Sequence, residues 1–248
     1  MSYTLTVSPD FTPEHISGWF IFNTWLQRQL NIPLHLELYD DFDTQRADIK
    51  QDKIDLIYAN PYDASMLVRE KGFQAVARAS SSSDEVIIAV AKDAPFKAVE
   101  ELPEGVRVVT TQHPDVNMMG MILLEPADLD KDSITLSTAH SYVIVAKHLL
   151  KGQAEVGFFL KDAFYDLSDL IRDKMRVLVE SQIDVVHHVL LAGPNVAPLI
   201  PELSRCLLEM NKTAKGASVL ESMQFKRWEH MAQEDTEFMI DLIDTLID

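Results

Sequence analysis

The sequence is poor in cysteine and in basic residues. Its single cysteine, Cys206, allows no disulfide within the chain and no cysteine-based metal site. A lone cysteine in a helical pattern is more often a small buried hydrophobic residue than a nucleophile. The 22 lysines and arginines oppose 39 aspartates and glutamates, which gives a formal net charge of −17. This charge argues against nucleic acid and anionic membranes as partners. It leaves small anions possible, because backbone N–H groups at helix starts bind them without net positive charge.

Long apolar runs are also missing. The longest, at 54–59 and 185–193, fall short of the roughly 20 residues that a membrane-spanning helix needs, so no membrane insertion is predicted. Residues 1–7 alternate as a strand does, without the basic start and apolar core of an export signal. We therefore expect either a cytoplasmic protein or the mature or trimmed form of an exported one.

Catalytic and metal-binding signatures are absent from the pattern. There is no nucleophile elbow, glycine-rich phosphate loop or His-Glu-x-x-His segment, so the chain is not predicted to be an enzyme. The acidic run 40–43 lacks the glycine and the distal glutamate of a calcium loop. His187 and His188 would face opposite sides of a strand and could not chelate one ion together. No metal and no cofactor are predicted.

Hydrophobic periodicity predicts alternating strands and helices in the first 80 residues. The predicted strands lie at 5–7, 34–38, 54–59 and 74–79, and the predicted helices at 12–30, 43–51 and 63–71. This alternation is the signature of a parallel sheet covered by helices.

A second α/β unit follows the serine-rich segment 80–84, which is predicted to cross between two lobes. Its strands are expected at 86–91, 106–110, 133–136, 154–159 and 177–179, with helices at 98–102, 117–124 and 141–151. The return at 182–186 leads to a strand at 189–192 and to helices near 196–212, 213–222 and 234–247. Residues 1–83 with 186–248 are thus predicted to form lobe 1, and residues 84–185 an inserted lobe 2. This topology predicts a ligand cleft between the lobes.

Several segments occur in an order typical of one family. They are Lys53-Ile-Asp-Leu-Ile-Tyr-Ala-Asn-Pro-Tyr62, Gly72-Phe-Gln-Ala-Val-Ala-Arg78, Glu100-Glu-Leu-Pro-Glu-Gly-Val-Arg-Val-Val109, Ala139-His-Ser141 and Gly152-Gln-Ala-Glu-Val-Gly157. Over nearly its whole length the chain resembles the type II periplasmic solute-binding proteins, and most closely the phosphate, phosphite and phosphonate receptors of ABC transporters. The resemblance implies an α/β fold of two lobes, with mainly parallel sheets covered by helices and two chain crossings. It also implies a small polar or anionic ligand clamped between the lobes for ABC-type uptake.

One segment departs from the pattern of the phosphonate and phosphate receptors. Their second lobe presents a Ser-Thr-Ser-Gly run at a helix start, whose hydroxyl and N–H groups bind phosphoryl oxygens. Here the matching stretch is Thr111-Gln-His-Pro-Asp-Val-Asn-Met-Met-Gly120. Asn117 could cap a helix and backbone donors remain, but the hydroxyl run is missing and Asp115 adds a carboxylate. The identity of the ligand is therefore left open.

The ligand is expected to contact backbone N–H groups at helix starts near Thr12, Asn117 and His140. The side chains expected to line the site are Tyr58, Asn60, Tyr62, Ser82, Ser83, Glu85, Thr111, Gln112, His113, Asn117, His140 and Ser141. Each has a structural alternative. Asn60 could simply end a strand, the serines could form a flexible crossing, and His113 and His140 could be ordinary loop residues.

Two other functions remain open at this stage. One is a cytoplasmic enzyme of the same fold, resembling the menaquinone-pathway enzymes that act on chorismate-derived substrates. The other is a sensory module that binds a metabolite and signals to a partner. For the leading interpretation, an ABC permease or a sensor would be the protein partner, and the chain is predicted to be a monomer.

Overall fold

The computed structural model of the protein describes residues 2–10, 13–80, 84–183 and 185–245. These residues form two compact units. Unit 1 contains the described residues of Met1–Ser82 and His187–Asp244, and unit 2 those of Ser83–Val186. The described helices, including the 18-residue first one, do not combine the length and apolar character that a membrane crossing requires.

Unit 1 is a six-stranded mixed sheet in the order β11-β4-β10-β3-β1-β2. β1 is parallel to β2 and β3, whereas β10 is antiparallel to β3 and β4, and β11 is antiparallel to β4. The strands are β1 (Tyr3–Val7), β2 (Leu34–Glu37), β3 (Leu56–Ala59), β4 (Gln74–Ala79), β10 (Val189–Ala192) and β11 (Trp228–His230). The helices are α1 (Pro13–Leu30), α2 (Phe42–Lys50), α3 (Pro61–Arg69), α8 (Ile200–Leu208), α9 (Ala214–Ser222) and α10 (Gln233–Thr245).

Unit 2 is a five-stranded mixed sheet in the order β7-β6-β8-β5-β9. β6 is parallel to β7 and β8, and β5 is antiparallel to β8 and β9. The strands are β5 (Val86–Ala91), β6 (Arg107–Thr110), β7 (Thr135–Thr138), β8 (Val156–Leu160) and β9 (Met175–Glu180). The helices are α4 (Pro114–Ile122), α5 (Tyr142–Leu150), α6 (Lys161–Tyr165) and α7 (Asp169–Arg172).

The predicted α/β class with helix-covered sheets is confirmed. The expectation that the sheets are mainly parallel is wrong, because three of the five strand pairs in unit 1 and two of the four in unit 2 are antiparallel. Strands β4, β5 and β10 have the predicted bounds. The predicted helix 98–102 is a short 3-10 helix at Val99–Glu101, and the strand predicted at 133–136 is shifted to Thr135–Thr138. Strand β11 was not predicted, because its three residues pair only as an edge of the sheet.

An aromatic cluster forms the core of unit 1. The rings of Trp19 and Tyr58 are 5.2 Å apart, and Tyr58 also contacts Phe225 and Trp228 at 5.7 Å and 5.5 Å. Such rings bury large areas and add edge-to-face contacts. α1 reaches α9 closely at Gly18, where an added Cβ would lie 2.2 Å from the carbonyl oxygen of Ser222.

The same interaction sets strand register in both units. Asp55 precedes β3, and its Oδ2 accepts the backbone N–H of Thr4 in β1 at 2.8 Å. Glu155 precedes β8, and its Oε2 accepts the backbone N–H of Arg107 in β6 at 2.8 Å. In both pairs the acidic residue also donates its own N–H to the carbonyl of the same partner, at 3.0 Å and 2.9 Å. We call each arrangement a register clamp, because it fixes one parallel strand against the next where both begin.

We predict that Asp55→Ala lowers the free energy of unfolding by about 1–3 kcal/mol, since it leaves the donors on Thr4 and Asn195 without this acceptor. Urea denaturation measures the loss. Asp52→Asn is the matched control, because Asp52 is exposed, pairs with Lys71 at the surface and has a positive φ of 57°, which asparagine tolerates and alanine does not. We expect the control to change stability by less than about 0.5 kcal/mol. Equal losses for the two variants would contradict the clamp.

The clamp in unit 2 predicts a pH dependence. The side-chain hydrogen bonds from Arg107 lower the pKa of Glu155. A depressed folded-state pKa gives stability that is present above the unfolded value of about 4.3 and is lost as pH falls through the folded value. Because the pair is partly exposed, we expect Glu155→Gln to cost about 0.5–1 kcal/mol near neutral pH. Denaturation measured down to about pH 3 should show that the difference in unfolding free energy between Glu155→Gln and the wild type shrinks. The exposed control variant Glu104→Gln should show no such difference. A difference that did not change with pH would refute the role of the charge.

Candidate functional site

All five strands of unit 2 meet at one edge of the sheet. β6, β7 and β8 end there, as the parallel register Thr110↔Thr138 shows for the first two. β5 begins at this edge and β9 ends at it, because Val86 pairs with Leu160 and Ile87 with Glu180. We call this side the carboxyl edge of unit 2. Polar residues that follow the parallel strands collect here, which is where open α/β sheets bind ligands.

Two nine-residue helices begin side by side at the carboxyl edge. His113 is the N-cap residue of α4 and Ser141 that of α5, and neither side chain caps its own helix. Pro114 opens α4 and has no N–H to offer, and Ile144 of α5 donates its N–H to the carbonyl of Ser141 at 3.0 Å. Val116 and Val143 are then first-turn residues whose N–H groups have no carbonyl of their own helix to bind. These groups and the positive ends of the helix dipoles favour an anion.

A side-chain contact joins the two helix starts. The hydroxyl of Tyr142 lies 2.8 Å from Nδ1 of His113, and the two rings meet edge to face at 5.3 Å. The ring of Tyr142 also lies 6.0 Å from that of Phe159, which is fully buried in β8. These contacts hold together residues from the ends of β6, β7 and β8. The buried ring of Phe159 supports the ring of Tyr142.

The position of α4 depends on its close contact with strand β8 and on a hydrogen bond from the side-chain amide of Asn117. Gly120 faces Phe158, and an added Cβ would lie 2.3 Å from the Phe158 ring. Asn117 donates from Nδ2 to the carbonyl oxygen of Thr111 at 3.0 Å. The prediction that Asn117 begins a helix is wrong: Pro114 begins α4, as proline favours the first helical position, and Asn117 lies inside it.

Glu85 was predicted to bind ligand, but both of its oxygens bond within unit 2. Oε1 accepts the N–H of Ile183 at 2.9 Å, and Oε2 accepts the hydroxyl of Ser181. Glu85 is also only 2% exposed. The structure therefore corrects this prediction: the carboxylate ties the segment after β9 to the start of β5. Asp84 reinforces this tie, because its N–H donates to the carbonyl of Val186 at 2.8 Å.

The predicted residues that remain open at this edge are Gln112, His113, His140 and Ser141. Gln112 and His140 are exposed, and His113 and Ser141 are partly exposed. Thr111 is buried at 3% exposure, so its hydroxyl is not open to solvent. The parallel pairing of β6 with β7 brings these loops together.

In unit 1 the corresponding edge is largely occupied by internal bonds. Asn60 was predicted to bind ligand but is fully buried and caps α3, because its Oδ1 accepts the N–H of Asp63 at 2.8 Å. Its Nδ2 donates to Ser8 at 3.1 Å and to Asp63 at 2.7 Å. Asp63 in turn pairs with Arg46 at 2.6 Å. The structure therefore favours the alternative interpretation, in which Asn60 ends the strand.

The two tyrosines of the same segment differ. Tyr58 is 2% exposed inside the aromatic core, so the prediction that it stacks on a ligand is wrong. The alternation of β3 turns Tyr58 into the core of unit 1. Tyr62 is 37% exposed, and the guanidinium of Arg46 lies 5.3 Å from its ring centre. Thr12, Ser82 and Ser83 lie outside the described residues.

Three residues at strand ends were not predicted as site residues. His188 precedes β10, is 9% exposed and bonds Asp10 through Nε2 at 3.0 Å. Tyr142 begins α5, four residues after the end of β7, and Lys161 follows β8 directly. Their positions after predicted strands were the signal that could have found them, because every strand end on this side of a sheet is a candidate position.

The described residues offer little for metal binding or for thiol chemistry. Among the side chains that the structure describes, no group of three or more His, Cys, Asp or Glu residues could hold a metal ion. Burial raises the pKa of the Cys206 thiol to about 12, which fits a small core residue.

Known structures share this fold at low sequence identity. PhnD1 from Prochlorococcus marinus in complex with methylphosphonate has a TM-score of 0.81 and 12% identity, covering 99% of this chain and 98% of that one. A binding protein component of an ABC phosphonate transporter from Pseudomonas aeruginosa gives 0.75 and 13%, covering 100% and 89%. The periplasmic aliphatic sulphonate binding protein of Escherichia coli gives 0.65 and 12%, covering 99% and 86%. The predicted type II periplasmic binding-protein fold is confirmed. No curated protein matches the sequence.

A family model described as "ABC transporter, phosphonate, periplasmic substrate-binding protein" matches residues 5–236. The match confirms the resemblance given by the short segments, and it supports a binding protein because the family consists of substrate-binding proteins rather than enzymes. The chain therefore belongs to the family of phosphonate ABC-transporter substrate-binding proteins.

Proposed function

We propose that this chain is the ligand-binding component of an ABC-type importer and that it binds a small oxyanion at the carboxyl edge of unit 2. One observation carries the proposal. The uncapped starts of α4 and α5 lie on neighbouring loops, joined by the contact of Tyr142 with His113. Relatives of the same fold hold methylphosphonate or are named for aliphatic sulphonates, which supports tetrahedral oxyanions as the ligand class.

The donors proposed for the anion come from both helix starts. The first-turn N–H groups of α4 and α5 and the Ser141 hydroxyl would bind its oxygens. Gln112 and His140, which are exposed on the flanking loops, would add side-chain donors. These groups replace the missing Ser-Thr-Ser-Gly run, because backbone N–H groups supply the same kind of hydrogen bond.

The partner proposed for the loaded protein is the permease of the importer, with the chain acting as a monomer. The position of the ligand in a cleft stays a prediction, and so do the roles of the proposed site residues. Binding of the anion would stabilise the protein, because any ligand that binds only the folded state shifts the unfolding equilibrium.

The first test is a ligand screen by thermal shift and titration calorimetry. We expect at least one of methylphosphonate, phosphate and methanesulfonate to raise the melting temperature, and a ligand at about 100 times its Kd to add about 2.7 kcal/mol of stability. Glycerol and sodium chloride at matched concentrations are the controls. If no oxyanion or small carboxylate stabilises the protein, the proposed function is wrong.

The second test removes one hydroxyl. Tyr142→Phe keeps the ring on Phe159 but loses the contact with His113, and we expect anion affinity to fall about 3- to 10-fold. Tyr39→Phe is the matched control, because it deletes a hydroxyl bonded to Asp48 at 2.9 Å in unit 1. Calorimetry on both variants, with melting curves to verify folding, makes the comparison. Equal affinity of the Tyr142 variant and the wild type would show that the joined helix starts do not position the ligand.

A further inference from the structure

Unit 2 contains a groove at the opposite end of α4 from the proposed anion site. The groove is lined by the end of α4, by edge strand β9 and by two short 3-10 helices, Val99–Glu101 and Glu125–Ala127. Its volume is about 660 Å³. Sites for small molecules typically have volumes of roughly 300–1,000 Å³, so the groove has room for a small ligand.

The walls of the groove are mainly apolar. Val99 is buried, and four partly exposed side chains line the groove with it, namely Ile122, Leu123, Leu178 and Val179. Single exposed apolar residues are ordinary on a protein surface, but these side chains line one concavity. An alkyl chain that covered them would gain roughly fourfold in affinity for each methylene group that it buried fully.

Two carboxylates line the same groove. Glu100 lies in the first 3-10 helix and Glu125 in the second, and both residues are exposed. Neither carboxylate forms an ion pair or a hydrogen bond within the part of the chain that the structure describes. Both negative charges are therefore available to a ligand.

The end of α4 adds to this negative potential. The carbonyl of Ile122, the last residue of α4, lacks the usual helical partner, because the residue four positions later is Pro126, which has no N–H. A helix C-terminus is equivalent to roughly half a negative charge. The described residues that line the groove include no lysine, arginine or histidine. Arg176 of β9 instead donates from Nη2 to the carbonyls of Ala94 and Phe96, at 2.6 Å and 2.8 Å.

We propose that this groove binds a small amphiphilic cation, an alkylammonium compound whose chain covers the apolar walls and whose ammonium group contacts Glu100 and Glu125. The ligand needs both properties. An uncharged alkyl chain would leave the carboxylates without a counter-charge, and a small hydrated cation would leave the apolar walls in water. The site is independent of the proposed anion site, because all of the residues that line it lie elsewhere in unit 2.

A titration with octylammonium chloride, followed by methyl NMR, tests the proposal. Five of the residues that line the groove carry methyl groups that can be labelled: Val99, Ile122, Leu123, Leu178 and Val179. We expect their resonances to shift together along one saturable curve, at concentrations below those at which the ligand forms micelles. Shifts that do not saturate, or that spread over the methyl groups of both units, would overturn the proposal.

Two further ligands separate the role of the charge from that of the chain. Octanoate has a chain of the same length and the opposite charge, and we expect it to bind at least about tenfold more weakly than octylammonium. Butylammonium keeps the charge but has four fewer methylene groups, and we expect it also to bind at least about tenfold more weakly. The proposal is wrong if either compound binds as tightly as octylammonium.

A double variant tests the carboxylates directly. Glu100→Gln combined with Glu125→Gln removes both charges from the groove and keeps the side-chain shapes, so we expect the Kd for octylammonium to rise at least about fivefold. The matched control combines Glu104→Gln with Asp132→Asn, which removes the same charge from exposed residues of unit 2 that do not line the groove. Equal rises in the two double variants would show that the ligand responds to the net charge of the protein, and the proposal would then fail.

Discussion

The register clamp is the interaction on which the rest of the structure depends. In each unit an acidic residue placed one position before a central strand accepts a backbone N–H near the start of the neighbouring parallel strand, through Asp55 on Thr4 and Glu155 on Arg107. A shift of one residue in either strand would turn every side chain to the other face of the sheet. Because the clamps align the strands where they begin, the carboxyl ends are aligned as well. The segments that resemble the family, 53–62 and 152–157, therefore contain the acidic residue that aligns each sheet.

The two units use their aligned edges differently. In unit 1 the amide of Asn60, the carboxylate of Asp63 and the guanidinium of Arg46 form a closed chain of hydrogen bonds, so these polar groups hold α2 and α3 to the end of β3. In unit 2 the starts of α4 and α5 carry no side-chain caps. Uncapped N–H groups cost stability unless water or a ligand binds them, and an anion binds them better than water does. This difference makes unit 2 the better candidate for the anion.

Sequence patterns predicted the elements well where one local rule dominates. The apolar runs of β5 and β10 were readable because burial and strand length agree there. The roles of Tyr58 and Glu85 were not readable. Each depends on which distant segment the side chain meets, such as Trp228 for Tyr58 and Ile183 for Glu85, and no local pattern encodes those partners. The start of α4 differs from the predicted one for a local reason, because Pro114 occupies the first helical position that proline favours, three residues before Asn117.

The missing hydroxyl run separates the question of fold from the question of ligand. A fold of this kind fixes where strands end and helices begin, but the residues on those loops decide what binds. Here the segment from Thr111 to Gly120 has Gln112, His113 and Pro114 in place of small hydroxyl residues, and His113 contacts Tyr142. Hydroxyl groups can turn to donate or accept, whereas helix N–H groups only donate and keep a fixed direction. In the proposed site, helix N–H groups would therefore select a ligand by the directions of its acceptor oxygens, because these donors cannot turn to accept a proton from the ligand.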